Sequence, residues 1–327
     1  MILKLKHIGV FTSGGDSPGM NACVRAVVRT GIFHGAKITG LMRGFQGMIE
    51  GDFISMNARS VSNIIHRGGT ILKSARSNDF MSKEGRKAAF DVISKQGIEG
   101  LVAIGGDGTF RGATIFSEEY GIPFMGIPGT IDNDLFGTDF TLGFDTAVNT
   151  AVDAIDKIRD TAASPDRLLF IEVMGRDAGY IALWAGMAGG AEAILLPEEK
   201  TNVESLLALL RKGEQNLKTS SIVIVCEGDD AGGATEIARQ VKALDDSFDT
   251  RVTILGHVQR GGSPSAFDRI LGSKLGVAAT EALLKGEHGK MAGIFNNKIS
   301  FTEFSKATKQ HAPLDREMLR YSKILAI

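Results

Sequence analysis

The stretch "GLVAIGGDGTF", residues 100–110, runs apolar from Leu101 to Ile104 and then breaks at once into glycine and aspartate. A strand with one wet face alternates apolar and polar side chains, so an unbroken run ending in glycine marks a strand covered on both faces, as in a parallel sheet. The same pattern recurs in "HIGVFTSGG", "AKITGLM", "FMGIPGT", "RLLFIEV", "AEAILLPE", "SSIVIVCEG" and "RVTILGHV". Stretches of helical periodicity separate them, among them "MNACVRAVVRTGIF", "KEGRKAAFDVISKQ", "DTAVNTAVDAIDKIRDTAA", "VESLLALLRKGEQ" and "SAFDRILGSKLGVAATEALLKG". The alternation predicts βαβ units in a doubly wound α/β fold. Eight such strands suggest two sheets, with a hinge near residues 140–165 and a return of the chain around "GHVQRGG".

Composition narrows the function. With 43% apolar and 23% charged residues the chain of 327 is an ordinary folded protein, and a net charge of −1 offers no general field for nucleic acid or an anionic membrane. Any bound anion has to be met by local arginines. No apolar run approaches the length of a membrane span, and "MILKLKHIGV" turns into a strand too soon for a signal peptide, so a cytoplasmic location is expected. The two cysteines, Cys23 and Cys226, lie in apolar runs and read as small core residues.

In a doubly wound fold ligands gather beyond the carboxyl ends of the strands. There "TSGGDSPGMN", residues 12–21, is either a phosphate cradle at a helix start or a plain strand-to-helix turn. Asp107 in "GGDGT" suits a polyphosphate-bound Mg2+, or caps the following helix. "PGTIDNDLFGTD", residues 128–139, crowds three carboxylates, Asp132, Asp134 and Asp139, which is a solvated turn unless something cationic or reactive compensates them. Arg76 comes after a run containing "RGGT", and Arg176, Arg251, His257, Arg260 and Glu227 follow or flank strands. Phosphoryl transfer to a hydroxyl uses all of these parts: cradles, a metal-compatible carboxylate, guanidiniums, and one carboxylate to accept a proton.

In order and spacing, "TSGGDSPGMN", "GGDGT", "PGTIDND", "MGRDAGY" and "GHVQRGGSP" resemble the motifs of bacterial ATP-dependent 6-phosphofructokinases, from about residue 6 to about residue 320. The resemblance implies a glycolytic kinase that moves the γ-phosphoryl group of ATP to the 1-hydroxyl of fructose 6-phosphate, with Mg2+ as cofactor. It implies two Rossmann-like α/β domains of phosphofructokinase fold, a larger nucleotide-binding domain of residues 1–143 with 258–308 and a smaller sugar-phosphate domain of 144–257 with 309–327. A homotetramer, with the sugar site completed by a neighbouring subunit, is also implied.

By motif, Asp132 resembles the general base and Asp134 shapes the site and its charge, while Thr130 and Arg176 resemble the groups that steady the moving phosphoryl. Gly14, Arg76, Ser77, Gly106, Asp107, Gly108 and Thr109 correspond to ATP contacts, Asp107 being the metal-organising carboxylate. Thr130, Asp132, Met174, Gly175, Arg176, Glu227, His257 and Arg260 correspond to fructose 6-phosphate contacts within one subunit, and Arg167 and Arg251 to the pair reached across an interface. A second, interfacial site for ADP or phosphoenolpyruvate corresponds to Arg25, Arg29, Arg59, Gly190, Glu192 and Lys218, with Glu192 resembling a ligand of the effector's Mg2+. Two positions depart from the common pattern: Ser77 replaces an aromatic and Lys73 a glycine.

Rival readings have their own signatures. A pyrophosphate-dependent relative typically carries aspartate and lysine where this chain has Gly108 and Gly129. "GGDGT" is shared with NAD kinases and lipid kinases, which lack "PGTIDND" and "GHVQRGG" in this arrangement. A silent sugar-phosphate sensor is expected to lose Asp107, Asp132 and Arg176 first.

Overall fold

In the computed structural model, which describes residues 5–161, 167–215, 220–309 and 314–326, the apolar run of residues 100–105 is a fully buried strand. In chain order the elements begin β1 (His7–Thr12), α1 (Met20–Phe33), β2 (Lys37–Leu41), α2 (Gly44–Glu50), β3 (Phe53–Met56), α3 (Lys83–Lys95), β4 (Gly100–Gly105), α4 (Asp107–Tyr120), β5 (Phe124–Pro128) and α5 (Phe144–Asp160). They continue with β6 (Arg167–Val173), α6 (Tyr180–Ala188), β7 (Ala193–Leu195), α7 (Val203–Gln215), β8 (Ser220–Cys226), α8 (Ala234–Leu244), β9 (Asp249–Ile254), α9 (Ala266–Leu284), β10 (Lys290–Phe295), β11 (Lys298–Glu303) and α10 (Arg316–Leu325). The chain divides into two compact units, residues 1–146 with 260–312 and residues 147–259 with 313–327.

The larger unit holds a seven-stranded sheet in the order β11-β10-β5-β4-β1-β2-β3. Its inner strands are parallel, and only β3 and β11 run antiparallel to their neighbours. Both faces are apolar, which is why the sequence does not alternate. Val102, Ile104, Met125 and Ile127 point to one layer, built with Met20, Val24 and Val27 of α1 and Leu271 and Leu275 of α9. Leu101, Ala103 and Phe124 point to the other, where Phe11, Phe45, Phe80, Phe110 and Phe116 form an aromatic layer. Cys23 is buried, and that burial pushes its thiol pKa well up. Cys226 is buried as well.

The smaller unit holds a four-stranded parallel sheet, β7-β8-β6-β9. Leu168 and Phe170 of β6 and Val223 and Val225 of β8 pack beneath α7 and α8 through Leu206, Leu210, Ile237 and Val241. One expectation fails here: β9, read as buried on both faces, has no buried residue and is an exposed edge. Its β-branched residues satisfy strand geometry without a covering layer. Strands β3, β10 and β11 are not expected from the sequence; β3 has only four residues, and β3 and β11 are half-exposed edges without a continuous apolar run.

Candidate active site

Strands β1 and β4 are neighbours, and the chain winds outward from them in opposite directions, through β2 on one side and β5 on the other. Their carboxyl ends therefore open a crevice at the switch point. Ser13 N–H donates to Ile104 O at 2.9 Å and joins the first motif to the strand of the second. Buried Asn21 donates to the Arg67 and Gly68 carbonyls at 3.0 and 3.2 Å and accepts from Ile71 N–H at 2.8 Å. Thr12 Oγ1 donates to Lys73 O at 2.8 Å and bonds Thr70 Oγ1 at 3.0 Å. Gly68 meets Gly262 so closely that a Cβ would stand 2.1 Å from the Gly262 carbonyl oxygen. Three loops thus converge on β1.

The predicted nucleotide residues line these loops. Gly14 has φ +83°, a left-handed turn that glycine adopts without a Cβ clash. Lys73 takes φ +57°, the same region, which is why glycine suits that place. Arg76 is exposed, while Ser77 Oγ donates to Gln46 Oε1 at 2.7 Å and accepts Phe80 N–H at 3.2 Å. The Ser77 hydroxyl is therefore engaged within the protein. Arg260, expected on the sugar phosphate, lies across Gly15, with its Nε buried and unpartnered.

The carboxylate-rich loop after β5 sorts its acids by role. Asn133, at φ +52°, accepts Thr141 N–H at 2.8 Å and donates to Asp139 O at 3.2 Å. Thr141 Oγ1 donates to Thr130 O at 2.6 Å, and Thr130 Oγ1 accepts Asp132 N–H at 3.2 Å. Asp139 accepts Asn296 N–H at 2.7 Å and is an anchor to the β10–β11 hairpin. Asp132 and Asp134 are each 4% exposed. Asp134 is met by Lys309 Nζ, 2.5 Å from Oδ2.

Asp107 opens α4 after Gly106 and is buried. The Arg111 guanidinium contacts its Oδ2, while Oδ1 is buried without a protein partner. An unsatisfied buried carboxylate oxygen is costly, and a cation or its water would relieve it. Among the described residues no three acidic, cysteine or histidine side chains cluster as a metal cage. One carboxylate of this kind fits an Mg2+ held chiefly by a polyphosphate and water. A Cβ added to Gly108 meets no atom within 4 Å, whereas Thr109 packs against Gly105 and is buried.

In the smaller unit β6 and β8 are adjacent, and Met174 and Glu227 directly follow their last residues, Val173 and Cys226. Gly175 has φ +147° and Arg176 φ +53°. Glu227 Oε1 holds this turn by accepting Arg176 N–H at 3.0 Å and Gly175 N–H at 3.4 Å. Gly228 must be glycine, because a Cβ would fall 1.8 Å from Arg176 O. Met174 N–H donates to Gln259 Oε1 at 3.3 Å, and Gln259 is buried in the 3₁₀ turn Gly256–Arg260 that also presents exposed His257. Arg167 and Arg251 stand apart from this group. Arg167 opens β6, roughly 20 Å along the strand from Met174. Its Nε is 3.7 Å from Asp249, the same carboxylate that lies 3.1 Å from Arg251.

The predicted effector residues are placed less tightly. Arg25 and Arg29 lie one turn apart on α1, and no carboxylate among the described residues pairs with either. Partial burial, and then the charge of Arg29, push the Arg25 pKa down. Arg59 is exposed, its N–H donating to Asn57 Oδ1 at 2.8 Å. Glu192 Oε2 accepts Ile222 N–H at 2.5 Å, so part of its role is to tie β7 to β8. Arg159, which the sequence reading passed over, donates to the carbonyls of Gly189 and Gly190. Its position in the last turn of α5 was the available signal. Lys218 lies outside the described residues.

The family model described as Phosphofructokinase matches residues 7–283. The chain is 54% identical over 321 residues to an ATP-dependent 6-phosphofructokinase of Cytophaga hutchinsonii, covering 98% of each chain. It is 53% identical to ATP-dependent 6-phosphofructokinase 1 of Thermus thermophilus, covering 99% of this chain and all of the relative. Among solved structures, Pichia pastoris phosphofructokinase in the T-state superposes with a TM-score of 0.89 at 34% identity, over 98% of this chain and 37% of that longer one. A phosphofructokinase of Saccharomyces cerevisiae gives 0.89 at 35% identity, over 98% and 48%.

Proposed function

The chain belongs to the phosphofructokinase family, and from that premise we infer that it transfers the γ-phosphoryl group of ATP to the 1-hydroxyl of fructose 6-phosphate. The observation that carries this reading is the pair of buried carboxylates Asp132 and Asp134 in the loop after β5, in the same sheet as Asp107 with its unpartnered oxygen after β4. Asp132 accepts the proton of the attacking hydroxyl, and Thr130 and Arg176 steady the moving phosphoryl. Mg2+ organised by Asp107 supplies neutralisation of the polyphosphate charge. Gly14, Gly106 and Gly108 present backbone to the nucleotide, with Arg76 at the phosphates. Met174, Glu227, His257 and Arg260 hold the sugar phosphate.

Because Arg167 opens β6 and Arg251 lies in the amino-terminal half of β9, in register with Leu169, both away from the strand end at Met174, they serve a neighbouring subunit's site, and the assembly is a homotetramer. Arg25, Arg29, Arg59, Gly190 and Glu192 form an effector site for ADP or phosphoenolpyruvate. No helix among the described residues is long and apolar enough to cross a membrane, and a cytoplasmic location accords with the substrates.

The open space at Gly108 favours ATP over pyrophosphate. A coupled assay with fructose 6-phosphate and either donor tests this; activity with pyrophosphate alone would overturn it. Asp132→Asn, which keeps shape but cannot take the proton, should lower turnover by about 10²–10⁴ with both substrates still bound. A near-normal rate would remove Asp132 from the role of base.

A further inference from the structure

The reactive loop is gripped from a part of the chain remote in sequence. Leu135 is 2% exposed and packs in the same core cluster as Phe304 and Ala307, in the segment that follows β11. Phe136 N–H donates to Thr308 O at 3.4 Å. The next residue, Lys309, brings Nζ to 2.5 Å from Oδ2 of buried Asp134, as a charge contact without the direction of a hydrogen bond. Three successive residues of the loop, Asp134, Leu135 and Phe136, are thus each fixed by residues 304–309. The preceding half, around Asp132, is fixed by Thr130, Asn133 and Thr141 within the loop itself.

From this geometry we propose that Lys309 is a positioning residue for phosphoryl transfer: its ammonium neutralises Asp134 and holds the second half of the loop so that the Asp132 carboxyl keeps its place. A buried carboxylate stripped of its counter-ion repels a second carboxylate two residues away and draws its own loop toward solvent. Lys309 acts through Asp134 and does not touch the reactants. The inference rests on the reading of Asp132 as the base.

The test compares Lys309→Met, Lys309→Arg and Asp134→Asn in the full chain. Lys309→Met should lower kcat by about tenfold to a hundredfold, the scale of a small misplacement of a reacting group, with both KM values changed by less than about threefold. Lys309→Arg should recover most of the rate. In a double-mutant cycle the Lys309→Met loss should vanish in the Asp134→Asn background, since no carboxylate remains to be held. That comparison stands even if the single variant is less stable. A rise of KM for either substrate at unchanged kcat would make Lys309 a binding group and overturn the inference. So would full additivity in the cycle. Asp132→Asn measured alongside separates the two failures: a near-normal rate there removes the base, whereas a severe loss there with an unaffected Lys309→Met removes only the positioning.

Discussion

The guanidinium of Arg260 lies over the backbone of Gly15 so closely that a Cβ at residue 15 would come within 1.9 Å of Nη1. Gly15 follows the left-handed turn at Gly14, so a group expected on the sugar phosphate shares a wall with one expected on the nucleotide. Gly15 has no positive φ, and the atom in the way is the end of a flexible side chain, so Gly15→Ala displaces Arg260 without straining the fold. A hydrogen bond to a charged group is worth about 1.5–3 kcal/mol, and the variant should raise the KM for fructose 6-phosphate roughly tenfold or more. Its melting temperature should stay within about 2 °C of the parent, because exposed changes of this size are nearly neutral. An unchanged KM would show that Arg260 does not serve the sugar phosphate from this position.

Arg251, on the exposed edge strand β9, has a side chain 64% exposed and, among the described residues, is paired only with Asp249 two residues before it. An exposed pair of this kind contributes little to stability. Arg251→Ala should therefore leave folding intact and raise the fructose 6-phosphate requirement more than it slows turnover. If the arginine serves a neighbour's site, coexpressing Arg251→Ala with Asp132→Asn chains should restore activity at low fructose 6-phosphate that neither variant has alone. Sites in mixed assemblies then combine an intact Asp132 with an intact Arg251. No recovery in proven hybrids would place Arg251 in its own subunit's site.

The parallel sheets were legible because burial on both faces leaves a signal in the strand itself. Leu101 to Ile104 face alternately into two apolar layers, and no polar residue is tolerated at either. Strand β9 misled for the converse reason: β-branched residues favour an extended chain whether or not anything covers them, and the edge position is a fact of topology. In the site, Asp107, Asp132 and the turn at Arg176 could be picked out as candidates from the sequence because each follows a strand's carboxyl end within a few residues. Lys309 and Asp268 could not. Each meets its partner across more than a hundred residues, and nothing in "SKATKQ" or "SAFDRI" names a carboxylate or backbone amide that far away.

Asp268, fully buried in the first turn of α9, accepts Gly143 N–H at 2.8 Å, Thr146 N–H at 2.9 Å and the Thr146 hydroxyl at 2.5 Å. Burial still outweighs these donors and pushes its pKa above the ordinary 3.8. The folded chain therefore binds this proton more tightly than the unfolded chain. The resulting stabilisation is fully present below the ordinary value and is lost as pH rises through the folded pKa. Asp268→Asn removes that term, so in urea unfolding followed upward from about pH 4 the stability of the variant relative to the parent should climb with pH. Parallel curves would mean that the carboxyl titrates alike in both states.

Gly108 tests the nucleotide side, because fold and function pull in opposite directions there. It occupies the first turn of α4, and a Cβ added to it meets no atom within 4 Å. An aspartate at a helix N-terminus gains about 0.3–1 kcal/mol from the helix dipole and replaces a poor helix former, so Gly108→Asp should melt no lower than the parent. If ATP passes over this turn, the new carboxylate faces its phosphates at close range, where two like charges about 4 Å apart repel by about 4 kcal/mol near a protein surface. The KM for ATP should then rise well beyond tenfold while fructose 6-phosphate binding, measured by calorimetry, is retained. An ordinary ATP KM in a well-folded Gly108→Asp chain would mean that the phosphates lie elsewhere, and the assignment of Gly106 to Thr109 to the nucleotide would fall with it.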